Sequence, residues 1–311
     1  MEDGGFTAYR PYLELVPGTI AIVLNYCRET LAAQCVEALA RSVPLAPKIL
    51  IVDNASPDGS GERLQIRFPQ HDFLQMGENV GYAGGNSRGI AWALTQGGAR
   101  ILEINDDGEL APSALGLLEQ ALDADAGLGI VGPTIVYDDV AESLCWAGGA
   151  VDVKRAMGTS SGARTKPALA QLAAHATAGA GVEPCGWVSG CCLMIRAEAA
   201  RALGGFREDY FAYGEDVELS LRYAKAGWRF GWVPAARCVH HAAWPEPAIA
   251  PWKLTLRDRN RRRMVRAFYG GAERAQFAAW FWPTRLIRIA QYLLDGDAAR
   301  AKAQWRGMTA R

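Results

Sequence analysis

Two acids stand side by side at Glu215 and Asp216, where a glycine-bearing loop (Gly214) gives way to the helical pattern of GEDVELSLRYAKAGW. An acidic pair at a helix start has a plain structural use, because it meets the exposed N–H groups and the positive end of the macrodipole. A carboxylate on a loop can also accept a proton during group transfer, provided a cation elsewhere in the site steadies the leaving group. A second cluster offers such a cation a seat. Asn105-Asp106-Asp107 is made only of oxygen donors, which suits a hard divalent ion that takes one or two carboxylates plus substrate phosphates. Read alone, the same triplet is turn chemistry. His240 and His241 follow an apolar run, and an imidazole is an acceptable further ligand to Mn²⁺. Three more polar groups complete the set: Asn25-Tyr26, Asp53-Asn54, and ENVGYAGGN from Glu78 to Asn86, whose glycines let backbone approach a ligand.

The elements between these groups would bring them to one edge. Thr19–Asn25 and Lys48–Val52 are short β-branched runs fit for strands buried on both faces. Asp72–Gln75 and Arg100–Ile104 read as further strands, with helices after Thr30 and over 86–95. Such alternation predicts an α/β sheet, parallel in its core, and ligands of open α/β sheets bind beyond the carboxyl ends of the strands. The polar groups follow those ends. In the second half 131–137 and 187–195 read as strands, and 197–203 and 217–226 as helices. The Ala-, Gly- and Ser-rich segment 157–181 reads as a loop. ENVGYAGGN is neither GxGxxG nor a P-loop, which weakens dinucleotide and simple NTPase readings.

Composition narrows the class. Lysine plus arginine and aspartate plus glutamate number 33 each, so no global field recruits nucleic acid. Seven cysteines without CxxC spacing argue against a zinc knuckle or a disulfide framework and for a reducing compartment. The acidic start (Glu2, Asp3) lacks the basic-then-apolar form of a leader, and no uncharged apolar stretch is long enough to span a bilayer. The expectation is a cytoplasmic protein. After Pro251 the chain turns basic and aromatic, with six arginines between Arg257 and Arg266 against the single acid Asp258. That flank reads as a packing helix, a dimer contact (a homodimer), or a peripheral surface on the inner face of an anionic membrane.

The ordered motifs VLNY (23–26), VDNASPDGS (52–60), ENVGYAGGNSRGI (78–90), NDD (105–107), WVSGCCLMIR (187–196), GGF…GEDVELSLRYAKAGW (204–228) and VHH (239–241) resemble family 2 glycosyltransferases, and within them the bacterial rhamnosyltransferase-like branch. The resemblance covers roughly residues 18 to 245. It implies a GT-A fold over 1–250, a Rossmann-like nucleotide-binding part (about 18–110) fused to an acceptor part (about 111–250), with a C-terminal helical region over 251–311. It implies inverting transfer of a sugar, such as rhamnose, from a dTDP- or UDP-sugar to a saccharide or lipid-linked acceptor of the bacterial surface. Carried over by position, Asp216 matches the general base and Asp53 the acid that meets the nucleotide base, with Asn25 and Asn54 nearby. Asn79, Gly81 and Asn86 match the second nucleotide-contacting loop, and Asp106 falls within the donor-binding motif. Asn105 and Asp107 match the ends of the metal-binding DxD, with Asn in the first place, and His240 matches the residue that completes a Mg²⁺ or Mn²⁺ site. Glu215 would bind an acceptor hydroxyl or support its loop, and Trp187 would stack on an acceptor sugar or serve as a core aromatic. A catalytically degenerate scaffold protein and a sugar nucleotidyltransferase are the competing readings. The latter lacks a Gly-rich basic loop after the first strand, where only Arg28 is available.

Overall fold

The computed structural model describes residues 18–138, 143–160, 181–242 and 249–310. Strands β1 (Thr19–Asn25), β2 (Lys48–Asp53), β3 (Asp72–Gln75) and β4 (Arg100–Asn105) are parallel and lie in the order β4-β1-β2-β3. Helices α1 (Glu29–Ala40), α2 (Ser60–Arg67) and α3 (Gly81–Thr95) make the crossovers. Ile20, Ile22, Val23, Leu50 and Val52 are all buried, as continuous apolar runs in a covered parallel sheet must be. Register then fixes the polar edge: Asn25 pairs with Asp53, and Leu24 with Asn105.

The second half extends the same sheet. After β5 (Gly108–Leu110) and α4 (Ala114–Ala124), the long strand β6 (Leu128–Tyr137) is edged by β7 (Leu144–Trp146). A separate hairpin, β8 (Gly149–Asp152) with β9 (Met157–Ser160), precedes β10 (Glu183–Cys185). Strand β11 (Cys192–Arg196) inserts antiparallel between β4 and β6. Helices α5 (Ala197–Leu203) and α6 (Glu215–Lys225) lead into β12 (Arg229–His240), which runs parallel to β6. Strand β5 pairs antiparallel with the end of β12, His240 opposite Gly108, and so carries that histidine to the Asn105–Asp107 turn.

Three expectations change. The expected strand over 187–195 begins only at Cys192, because Trp187 to Cys191 leave the sheet to meet α6. Part of the expected loop over 157–181 is strand β9; 161–180 lie outside the described residues. Helix α3 starts at Gly81, well before residue 86, and its glycines serve packing on the sheet. A Cβ on Gly85 would sit 2.4 Å from Leu24 Cδ1, and one on Gly89 2.8 Å from Ile22 Cγ2. The backbone that these glycines let in is the protein's own.

The C-terminal helices α7 (Pro251–Phe268), α8 (Gly271–Leu294) and α9 (Ala298–Thr309) share a second apolar core with the rest. Met264, Val265, Phe277, Phe281 and Met308 pack in it with Val217 of α6 and Ala156 of the hairpin turn. That core seats α7 directly behind the Glu215–Asp216 loop.

Candidate active site

At the strand ends Asp53 is a buried hub. Its carboxylate accepts hydrogen bonds from Asn25 Nδ2 (2.7 Å), the Ser56 N–H (2.9 Å) and hydroxyl (2.6 Å), and Gln75 Nε2 (2.8 Å). A nucleotide base reaching Asp53 therefore has to replace one of these donors. Asn54 ties the next loop to β2: its Nδ2 donates to Asn79 Oδ1 (3.0 Å) and the Gly81 carbonyl (3.2 Å), and its Oδ1 accepts the Val80 N–H (3.1 Å). Gly81 adopts φ +76°, and a Cβ there would lie 2.5 Å from the Phe211 ring, so only glycine fits. Asn86 is fully buried on α3 with neither amide atom hydrogen-bonded.

Asp106 and Asp107 share the Arg28 guanidinium, which donates to Asp106 Oδ1 and Asp107 Oδ2 at 2.8 Å each. Burial pushes the Asp106 carboxyl up to about 7 against the pull of Arg28. Burial also opposes ionisation of Asp107, but His240 and Arg28 outweigh it and hold that carboxyl well below the usual range. His240 Nε2 lies 3.2 Å from Asp107 Oδ1; burial disfavours its charge, yet Asp107 and Cys145 push it up to about 10. His241 instead bridges Asp138 (2.8 Å) and Glu109 (3.1 Å), so His240 is the imidazole brought to the cluster. Asn105 Oδ1 is buried without a hydrogen-bond donor, while Asp107 Oδ1 has the His240 ion pair. An unpaired amide oxygen beside a carboxylate and an imidazole fits a divalent ion that would displace the His240 proton and draw its remaining ligands from a substrate diphosphate. Among the described residues no cluster of three or more His, Cys, Asp or Glu side chains would hold a metal by itself.

Glu215 and Asp216 lie on the wall of a cavity of about 260 Å³, together with Trp187, Tyr213, Arg257 and Arg261. Asp216 Oδ2 accepts the Gly190 N–H (3.2 Å) and Oδ1 the Val217 N–H (2.8 Å). Burial raises the Asp216 carboxyl, while those two N–H groups restrain the rise. Glu215 is pushed up to about 8, by burial first and then by the charge of Asp216. Burial thus raises both carboxyls of the pair, and only Asp216 has backbone N–H groups of other residues, Gly190 and Val217, to oppose it. Behind Gly190, the Tyr82 hydroxyl lies 2.5 Å from both the Gly190 carbonyl and Glu103 Oε1. Burial keeps the Glu103 carboxyl well above its ordinary range, so acid and phenol can satisfy both contacts with one proton each. Trp187 packs partly against the core, its indole N–H donates to the Thr159 carbonyl (3.0 Å), and the residue lines the cavity.

Three residues of α7 escape a reading of motifs alone: Arg257 and Arg261, which line the cavity, and Asn260, which holds the Tyr210–Tyr213 loop. Asn260, 1% exposed, donates from Nδ2 to the carbonyls of Tyr210 (2.9 Å), Ala212 (2.9 Å) and Tyr213 (2.8 Å). Arg259 adds a second bond to the Tyr210 carbonyl at 2.9 Å. The clamped loop holds Phe211, Tyr213 and Gly214 at φ +63°, +73° and +86°, a left-handed course that aromatic residues rarely take. The only sequence signal was an asparagine inside an arginine-rich run.

A parallel α/β half with polar strand ends, extended by the mixed second half of the same sheet, is the GT-A glycosyltransferase fold. The comparisons agree. The model described as "Glycosyl transferase family 2" matches residues 20–178, and "Glycosyl transferase family group 2" matches 149–305. The chain belongs to glycosyltransferase family 2. It is 30% identical over 232 residues, 66% of this chain and 69% of the relative, to the N-acetylglucosaminyl-diphospho-decaprenol L-rhamnosyltransferase of Mycobacterium tuberculosis. Over a shorter stretch of 56 residues (18% of this chain, 21% of the relative) it is 38% identical to the rhamnosyltransferase WbbL of Escherichia coli. In fold it resembles GalNAc-T7 solved with UDP, GalNAc and Mn²⁺ (TM-score 0.62, 14% identity, 81% of this chain and 48% of that one). It also resembles a mannosyltransferase of Pyrobaculum calidifontis solved with GDP-Man and Mn²⁺ (TM-score 0.53, 18% identity, 94% and 84%).

Asn260→Ala should leave the Ala212 and Tyr213 carbonyls short of their side-chain donor, Tyr210 keeping Arg259, and lower stability by about 2–3 kcal/mol, since an unsatisfied buried polar group costs about 1–3 kcal/mol. Turnover should fall at least ~10-fold at a temperature where the variant is folded, because the clamped loop leads straight into the Glu215–Asp216 pair and small displacements of reacting groups cost rate steeply. Chemical denaturation paired with initial rates checks both; wild-type turnover in the folded variant would show that activity does not depend on the clamp.

Proposed function

We propose that this glycosyltransferase moves a sugar, rhamnose in the reading the mycobacterial relative favours, from a dTDP- or UDP-sugar to a lipid-linked saccharide, with inversion at the anomeric carbon. The observation that carries it is Asp216: a half-buried carboxylate of raised pKa, aimed by two backbone N–H groups into a cavity walled by Trp187, Tyr213, Arg257 and Arg261. As the acceptor oxygen bonds to the anomeric carbon and the bond to the diphosphate breaks, Asp216 takes the hydroxyl proton. The neutral Glu215 donates a hydrogen bond to an acceptor oxygen. A divalent ion held by Asn105, Asp107 and His240 would supply Lewis-acid stabilisation of the diphosphate charge. Arg28, the basic residue after β1, is engaged by Asp106 and Asp107, which speaks against its gripping a triphosphate as a nucleotidyltransferase would require.

Asp216→Asn should leave donor binding intact while lowering turnover by roughly 10²–10⁴, the range of a positioned base. Asp107→Ala should do the reverse, weakening Mn²⁺-dependent binding of the nucleoside diphosphate in calorimetry. Wild-type turnover in the first variant, or unchanged metal-dependent affinity in the second, would contradict its assignment.

The C-terminal region carries a second part of the proposal, peripheral contact with the membrane that holds the acceptor, on a different basis from the arginine run. Arg261 is paired with Asp258, Arg262 donates to the Ala310 carbonyl, and Arg263 sits 3.5 Å from Asp209. Phe277 and Phe281 are buried in the second core. What faces outward instead is one side of α8: Trp282, Leu286, Ile287, Leu293 and Leu294, from 39% to 88% exposed. At 3.6 residues per turn these share a stripe, whereas Arg285, Arg288 and Tyr292 lie on the opposite side. No helix among the described residues is long and apolar enough to cross a membrane, so contact would be interfacial. Vesicles of phosphatidylglycerol and phosphatidylcholine should co-sediment the protein, with only modest loss in high salt, and Leu286→Asp/Ile287→Asp should reduce binding about fivefold or more. A dimer in sedimentation equilibrium that the double variant splits, without lipid binding, would assign the stripe to a second copy.

A further inference from the structure

Asp216 takes its direction from one group outside its own helix. Of the two N–H groups that its carboxylate accepts, that of Val217 belongs to the next residue of α6 and moves with the helix. The other is the Gly190 N–H, on the segment between β10 and β11. Gly190 has no side chain to anchor it, so its backbone has to be held through its own polar groups. Its carbonyl meets the Tyr82 hydroxyl at 2.5 Å. A carbonyl carries no proton, so the phenol O–H is the donor of that contact. Tyr82 is itself fixed in the first turn of α3. Its ring packs on Phe206 with centroids 5.7 Å apart, and Asn54 of the strand-end edge accepts the Val80 N–H just before that turn. Its hydroxyl also lies 2.5 Å from Oε1 of Glu103, which is 0% exposed on β4. Glu103 Oε2 is buried with no partner. A strand core built for packing alone would place an apolar side chain there, because a buried acid is costly. The three groups meet closely: a Cβ on Gly190 would lie 3.0 Å from Tyr82 Oη and 3.4 Å from Asp216 Cβ.

We propose that Tyr82, braced by Glu103, is a positioning residue that aims Asp216 through the backbone of Gly190. Tyr82 does not line the cavity, so it acts on the base rather than on the acceptor. This rests on Asp216 as the base and adds how the parallel half of the sheet directs a carboxylate carried by the other half. Without the hydroxyl the Gly190 carbonyl loses its donor, and the segment from Trp187 to Cys191 is free to draw its N–H away from Asp216. The carboxylate then loses a hydrogen bond that favours its charged form, and its oxygen leaves the line of attack. The other groups that face Asp216 are Glu215 beside it, Arg257 and Arg261 on α7 across the cavity, and Glu103 behind Tyr82. Tyr82→Phe alters the charge of none of them.

Carboxyl ¹³C titration of the whole protein tests the coupling without any substrate, the Asp216 signal being assigned by its loss in Asp216→Asn. In Tyr82→Phe, which keeps the ring and removes one oxygen, the Asp216 pKa should rise by about half a unit or more. A hydroxyl that only packed the core would change the melting temperature and leave that pKa where it was. Transfer from dTDP-rhamnose to N-acetylglucosaminyl diphosphate geraniol gives the second readout. At a temperature where circular dichroism shows the variant folded, kcat should fall about tenfold while KM for the nucleotide sugar is unchanged. Gly190→Ala gives the third. Its methyl group presses on Tyr82 Oη, so Tyr82→Phe makes room for it, and the double variant should lose much less than the product of the two single losses. An unmoved Asp216 pKa in Tyr82→Phe, or losses that simply multiply in the double variant, overturns the proposal. Wild-type kcat in Tyr82→Phe beside an inactive Asp216→Asn also overturns it and leaves Asp216 as the base. A raised Asp216 pKa with wild-type turnover in Asp216→Asn has the opposite meaning: the coupling through Gly190 stands, and the base reading falls.

Discussion

The catalytic half depends on how the loop Tyr210–Gly214 is held. Its backbone takes a left-handed course at two aromatic residues, a conformation that costs about 1–3 kcal/mol per residue and persists only where the surroundings impose it. Three restraints impose it. Asn260 gathers the carbonyls of Tyr210, Ala212 and Tyr213 from behind. The Phe211 carbonyl accepts the Ala83 N–H at 2.9 Å, and its ring fills the space that Gly81 leaves open. Gly214 then starts α6, so Asp216 enters the cavity in its first turn. A single loop therefore joins the donor-side helix α3, the carboxylate pair and the C-terminal helix α7.

Burial sorts the acids into two kinds of chemistry. Beside β4, Arg28 and His240 keep Asp107 ionised while Asp106 titrates near neutrality. On α6 no cation is paired with Glu215 or Asp216 among the described residues, so desolvation governs and both carboxyls rise. A carboxylate that stays charged suits a cation, and one of raised pKa suits a proton. The two pairs belong to separate walls, as they must if charge is to leave on one side of a sugar and a proton on the other.

Much of this was legible in the sequence. Strands β1 and β3 and helix α5 lie where periodicity and turn residues put them, because a run such as TIAIVLN has one stable use inside an α/β layer. The strand-end polar residues do gather on one edge, through the parallel register of β1, β2 and β4. Three things were hidden, each because a distant segment decides it. The glycines of α3 read as a ligand-approach loop, but their neighbours are Leu24 and Ile22 on β1. Trp187 to Cys191 had strand character, but Gly190 is needed to face Asp216. Asn260 and Arg261 sat in a basic run read as a packing helix with a solvated basic face, a dimer contact or a membrane surface, and it is the second core, built from Val217 and Met264, that decides which of its residues turn inward.

The most direct test of Asp216 as the base is the pH dependence of kcat/KM for sugar transfer at saturating metal. Only the ionised carboxylate accepts a proton, so the rate should fall with unit slope below the pKa of Asp216. That limb should lie above the ordinary aspartate value of 3.8, because burial raises this group. The limb should survive in Glu215→Gln and be absent from the residual activity of Asp216→Asn. An acid limb that persists unchanged in Asp216→Asn would place the base elsewhere and contradict the account.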